Sequence, residues 1–227
     1  MSEAKTQTVQ VQKKQEVLEK IARLVKQSRT KKEAKELAFF LAMLSAAILG
    51  RIALQYVPSV EPIIPFAILA GLLFGMKEGF VMGGAAYVIS NFFIWGLQGP
   101  WTIFQALGAA IPGLAAGFYG NFRKAGSKEF ILLAIAGTVF FEIVMNVSGA
   151  FMGIGLVGAF TLATIPLYFI TSLPFSAAHI ATNAAFAKLF SPLLSKWRRN
   201  DEFKIVSVSR VDSGKHSSVR MYKSESG

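Results

Sequence analysis

From Val57 to Gly158 the links between apolar runs are of two kinds, and the kinds alternate. Links 58–60 (PSV), 96–100 (GLQGP) and 151–161 (FMGIGLVGAFT) hold no Lys or Arg, whereas 76–78 (MKE) and 121–128 (NFRKAGSK) carry Lys77, Arg123, Lys124 and Lys128. A bilayer imposes this sorting, because basic loops are retained on the cytoplasmic side. Few soluble folds would produce it, and a hydrophobic fraction of 53% agrees with a membrane chain. Crossing the hydrocarbon takes about 20 mostly apolar residues. The candidate spans are 37–57, 61–76, 79–96, 101–120, 129–150 and 162–190. Six spans place both basic links and both termini on one side; five or seven would not. The expectation is an all-α polytopic plasma-membrane protein with both termini cytoplasmic.

Charge divides the chain into three regions. Residues 1–36 hold ten basic side chains against five acidic, residues 37–190 six against four, and residues 191–227 eight against four. The net charge of +11 thus comes mostly from the two ends. Basic flanks against anionic headgroups account for it without nucleic acid. From Lys13 to Glu36 the chain lacks Gly and Pro and is rich in helix formers. Val17, Ile21, Leu24 and Val25 form one apolar stripe, which fits a basic amphipathic helix on the membrane or a partner and equally a solvated charged helix. The end region, 191–227, lacks helical periodicity and reads as a mobile tail. No apolar run follows Met1, so a cleaved signal peptide is not expected. Pro62 and Pro65 suit the start of the second helix, and Pro174 is expected to kink the sixth.

Several chemistries are excluded. There is no cysteine, hence no thiolate catalysis or disulfide. Neither GxxxxGK[ST] nor HExxH occurs, and with only His179 and His216 no histidine-rich metal site is expected. No cofactor is implied. Ser148 with His179 invites an intramembrane serine protease reading. Depth counting opposes it, placing Ser148 near the outer surface and His179 roughly 25 Å lower, towards the inner interface.

The same counting gathers the remaining polar residues in the outer half: Arg51 on the first span, Glu61 at the mouth of the second, Asn91 and Trp95 on the third. Gln98 lies in the outer link, Trp101 and Gln105 begin the fourth span, and Glu142 and Asn146 lie on the fifth. Ionisable groups inside a membrane face a cavity or each other. A buried Arg51–Glu142 ion pair is one reading. An outward-opening ligand pocket with Trp95 and Trp101 as walls accounts for more of the cluster. On the first span Ala38, Ala42, Ala46 and Gly50 recur every four residues, a ridge that permits close approach of another helix, whether from a partner or from the same bundle.

The block LAGLLFGMKEGFVMGGAAYVISNFF (69–93), followed by GLQGPWTIFQALGAAIPGLAAG (96–117), resembles the substrate-binding S component of energy-coupling factor transporters. It is most similar to the branch associated with cobalamin uptake, in which a Gly-Pro-Trp-Thr turn enters the fourth helix. The resemblance covers about residues 38–190 and leaves both basic ends outside. It implies capture of a vitamin-like solute from outside, then docking on a transmembrane T component driven by two ATPases, with toppling in the membrane to release the solute. Carried over by residue, Ala42 and Ala46 would dock, and Asn91, Gln98, Trp101 and Gln105 would lie by the pocket. Two other classes compete: a membrane enzyme using Glu142 and His179 on lipid, and a scaffold whose basic ends recruit partners.

Overall fold

A computed structural model describes residues 2–94, 99–152 and 164–212. The described residues form six helices and no strand: α1 (Ser2–Leu54), α2 (Ile63–Phe74), α3 (Met76–Asn91), α4 (Trp101–Phe122), α5 (Ser127–Met152) and α6 (Thr164–Asp212). Three described segments are long and apolar enough to cross a membrane: Arg29–Leu54, Trp101–Phe122 and Ser127–Met152. α2 is equally apolar but has 12 residues, about 18 Å of helix.

The surface is inverted relative to a water-soluble bundle. On α4, Ile103, Leu107, Ile111, Phe118 and Phe122 are exposed, while Gln105, Gly108, Ala109 and Pro112 are buried. On α5, Leu132, Val139, Ile143 and Val147 face out, while Thr138 and Asn146 face in. Large apolar side chains outside and small or polar ones inside fit a lipid surround. α2 is buried along almost its whole length, enclosed by α3, α4, α5, α6 and α1.

Glycines set the tightest contact. A Cβ on Gly113 would lie 2.2 Å from the Gly79 carbonyl oxygen, and one on Gly71 would lie 2.2 Å from the Gly113 oxygen. α2, α3 and α4 therefore meet backbone to backbone, the close approach that small residues allow. Gly75, at φ +120°, turns the chain between α2 and α3 in a conformation that favours glycine. Its N–H closes α2 by donating to the Gly71 oxygen at 3.0 Å.

The basic links lie at one end. There Asn121 Nδ2 reaches Met76 Sδ at 3.7 Å, next to Lys77. Trp197 of α6 stacks on Phe39 of α1 with centroids 4.6 Å apart and meets Phe74 edge-on at 5.5 Å.

Two regional expectations change. The segment 1–36 is not set off from the first span, because α1 is a single helix of 53 residues. No break lets its basic part lie flat while the rest spans; the run from Lys13 to Leu49 offers no Gly or Pro to make one. The stripe at Val17, Ile21, Leu24 and Val25 falls on side chains outside the described residues. The end region is also not irregular from its start. α6 runs through Pro174 and Pro192 to Asp212, since the stretch from Leu193 to Lys204 holds helix formers and no glycine.

Gly113→Ala should destabilise the protein by about 1–3 kcal/mol through backbone overpacking. Gly84→Ala should leave the thermal midpoint in detergent near wild type, because its added carbon would meet only Ala110 Cβ at 3.8 Å.

Candidate functional site

At the end opposite the basic links, two polar clusters face each other across a cavity. The first is organised by Arg51, which the outer end of α1 directs inward and which is 6% exposed. Its Nε donates to Glu61 Oε2 at 2.7 Å. Its Nη1 donates to Ser90 Oγ and Asn91 Oδ1, both at 2.6 Å. The guanidinium lies 4.6 Å from the centroid of the Tyr87 ring, a cation–π contact. The Tyr87 hydroxyl in turn donates to Glu61 Oε1. Asn91 carries the network on to α4, with Nδ2 donating to Thr102 Oγ1 at 2.9 Å and Gln105 Oε1 at 2.8 Å.

The second cluster belongs to α5 and α6. Glu142 accepts the Ser176 hydroxyl at 2.5 Å, and its other oxygen lies 2.6 Å from His179 Nδ1. With a hydrogen on Nδ1 the imidazole donates to one oxygen of this carboxylate while Ser176 donates to the other. His179 Nε2 points back at the first cluster. It lies 3.5 Å from Glu61 Oε1, within ion-pair distance but without hydrogen-bond geometry. Phe141 packs between the clusters, stacked on Tyr87 at 5.3 Å and edge-on to His179 at 5.5 Å.

The cavity between them has a volume of about 340 Å³. Arg51, Glu61, Gln105, Glu142 and His179 supply its polar lining, and Phe141 and Ile94 its apolar one. The link 55–60 borders it and is fastened to α6, where Thr182 Oγ1 donates to the Ser59 oxygen at 2.9 Å. Ser59 holds φ at 60°, which costs a non-glycine residue some strain.

Four of the nine residues expected at a pocket thus line it: Arg51, Glu61, Gln105 and Glu142. Asn91 is fully buried behind the wall and orients Arg51 and Gln105. Trp101 lies towards Gly149 of α5, where an added Cβ would meet the indole at 3.4 Å. Asn146 turns its amide to its own helix, donating to the Glu142 carbonyl at 2.9 Å. Trp95 and Gln98 lie outside the described residues.

The structure corrects two pairings. Arg51 binds Glu61 and not Glu142. His179 does not sit towards the inner interface but on the level of Glu61. Counting inward from the end of its own helix misplaced it, because its partner Glu142 lies only ten residues short of the end of α5, or about 15 Å. Ser148 bonds the Met145 carbonyl at 3.1 Å, while His179 is engaged with the glutamates, so no Ser148–His179 pair forms. Tyr87, Ser90, Thr102, Phe141 and Ser176 escaped sequence reading. Tyr87 does fall one turn from Asn91 on the same face of α3, a period that signals it once Asn91 is chosen, and Ser90 is in turn three residues from Tyr87.

The small-residue ridge divides. Ala38, Ala42 and Ala46 are exposed, whereas Gly50 packs inward so tightly that a Cβ would lie 2.8 Å from Pro62 Cγ. The inward face of α1 is instead Met43, Ala47 and Arg51. Among the described residues no group of three metal-ligating side chains forms.

These features describe an all-helical, membrane-compatible protein with a polar cavity at one end. Comparisons with protein-family models, curated proteins and solved structures found no match.

Removing one partner of a buried ion pair costs about 3–5 kcal/mol, because the other charge is left uncompensated. Arg51→Met should therefore destabilise strongly on its own. Arg51→Met combined with Glu61→Leu should recover much of that loss in thermal unfolding, a non-additivity that two independent residues would not show.

Proposed function

We propose that the chain is the solute-capturing subunit of a membrane importer of the energy-coupling factor kind. The observation that carries this reading is the cavity: a space of about 340 Å³ walled by two carboxylates, a guanidinium, two amides, an imidazole, the Phe141 ring and aliphatic side chains. Pockets for small molecules combine these features, an apolar wall with a few convergent polar groups. On this reading six helices span the plasma membrane, the basic end is cytoplasmic with both termini, and the cavity faces outward. The exposed face of Ala38, Ala42 and Ala46 is the docking surface for a transmembrane T component coupled to two ATPases. The chain itself carries out no reaction. Cobalamin, the solute of the branch that the sequence resembles, is several times bulkier than the cavity, so a smaller vitamin-like compound fits better.

Labelling of single cysteines tests the topology. Ser59→Cys and Gly99→Cys should react with an impermeant reagent from outside, and Lys77→Cys and Gly126→Cys only after permeabilisation; one inverted site breaks the six-span arrangement. The coupling test uses Ala42→Trp and Ala46→Trp. Each should abolish solute uptake and co-purification with an ATPase module, yet leave binding to the isolated subunit near wild type. Retained uptake in both variants removes the docking role.

A second reading is supported by the 2.6 Å contact between Glu142 and His179, the carboxylate–imidazole part of an acid–base site for a membrane enzyme acting on lipid. The nearest hydroxyl, Ser176, donates to Glu142 and leaves the imidazole without a nucleophile to activate. Release of a lipid product by the purified protein alone would establish that reading over capture.

A further inference from the structure

The charges around the cavity do not balance, and the imbalance is local. Arg51 is matched where it stands: Glu61 takes its Nε, Ser90 and Asn91 take its Nη1, and Tyr87 covers its face. Across the cavity Glu142 has only a hydroxyl and an imidazole. With His179 neutral, Glu61, Glu142 and Arg51 leave the site one negative charge in excess. Burying an uncompensated charge in an apolar surround is costly.

One atom shows where compensation belongs. His179 is 3% exposed, and its Nε2 is one of two buried side-chain polar atoms without a hydrogen-bond partner among the described residues. In the neutral tautomer that donates from Nδ1 to Glu142, Nε2 is an acceptor, and it faces the carboxylate oxygen Glu61 Oε1 at 3.5 Å. Two acceptors that close repel, unless a donor lies between them. A single N–H-bearing group reaches both at ordinary hydrogen-bond length, about 2.9 Å. If that group is cationic it also cancels the excess charge.

We propose that the cavity selects solutes carrying a protonated amine or comparable cationic nitrogen, which donates to His179 Nε2 and Glu61 Oε1 while Glu142 fixes the imidazole tautomer. This rests on the capture reading and names the chemistry of what is captured. The charged and titratable groups facing His179 are Glu142 from α5, Glu61 from the α1–α2 link, Tyr87 from α3 and Arg51 from α1.

Nuclear magnetic resonance of the whole protein in detergent, labelled with ¹⁵N-histidine, tests this directly. The chain has two histidines, and His179→Gln assigns the signal of interest. The probes are methylammonium and three compounds sharing one ring: tryptamine (cationic), tryptophol (neutral) and indole-3-acetate (anionic). One or both amines should shift His179 Nε2 towards a hydrogen-bonded acceptor, and tryptophol and indole-3-acetate should not. Glu142→Gln, which keeps hydrogen bonding but removes the charge, should weaken amine binding by about tenfold or more. Binding of indole-3-acetate as tight as that of tryptamine overturns the proposal, as does silence of His179 towards both amines or a ring that stays doubly protonated in their presence. Failure of the capture reading is separate: amine binding at His179 in a protein that supports no uptake removes transport and leaves the cation site standing.

Discussion

A guanidinium inside an apolar bundle is tolerated only when it is paired and hydrogen-bonded, and Arg51 makes that demand on three segments. Glu61 answers from the α1–α2 link, Ser90 and Asn91 from α3, and Thr102 and Gln105 from α4 through Asn91. The demand matters because α1 is otherwise loosely held. Its buried side chains among the described residues are Met43, Ala47 and Arg51, and its backbone runs close to α2 and α3, with α6 reaching it through Trp197 on Phe39. It is therefore clamped at two points, by Phe39 in the aromatic cluster at the basic end and by Arg51 at the other. Between them the exposed alanines contribute little to holding the helix, which leaves that face available for a partner.

The cavity exists because a second polar cluster is held opposite the first without joining it. Glu142, Ser176 and His179 satisfy one another within the α5–α6 hairpin. Phe141 and Tyr87 stack between the clusters and set their separation. Glu61 and His179 come within 3.5 Å of each other yet form no hydrogen bond. Had these polar groups paired fully across the gap, the site would be a structural network and not a pocket. A buried polar atom left without a partner at this gap, His179 Nε2, is what distinguishes the two.

The sequence exposed membrane-compatible helices and the end at which their basic links gather, and it did so through cost. Lys and Arg are expensive in hydrocarbon, so the placement of Lys77 and of Arg123, Lys124 and Lys128 marks one end of the helices, and in the structure they do gather there. The same cost singled out Arg51, Glu61 and Glu142, all on the cavity wall. Pairing was not legible, because depth along a helix says nothing about rotation around it: Arg51 reaches Glu61, and Asn146 and Trp101 turn elsewhere. His179 was misplaced by counting inward from the end of its own helix, whereas its partner Glu142 lies only ten residues short of the end of α5. The Gly71–Gly79–Gly113 contact was visible only as glycine-rich composition, since which backbones touch depends on the crossing of three helices.

The two ends of the bundle are built on different principles, and this limits how the protein can act. Towards the basic end α2, α3 and α4 touch through backbone atoms at Gly71, Gly79 and Gly113, with Gly117 against Met76 a turn further on. Side-chain rotation cannot open a path there, because no side chain intervenes. The other end holds the cavity, bordered by a link pinned through Ser59 and Thr182. A solute taken in at the open end therefore has no aqueous route through these three helices. On the importer reading, delivery to the far side requires displacement of helices or reorientation of the body as a whole. Such a movement needs an external source of work and a surface on which to apply it. The exposed alanine face of α1 is such a surface, lying along the helix whose outer end supplies Arg51, so a partner that shifts α1 also disturbs the charge balance on which the site depends.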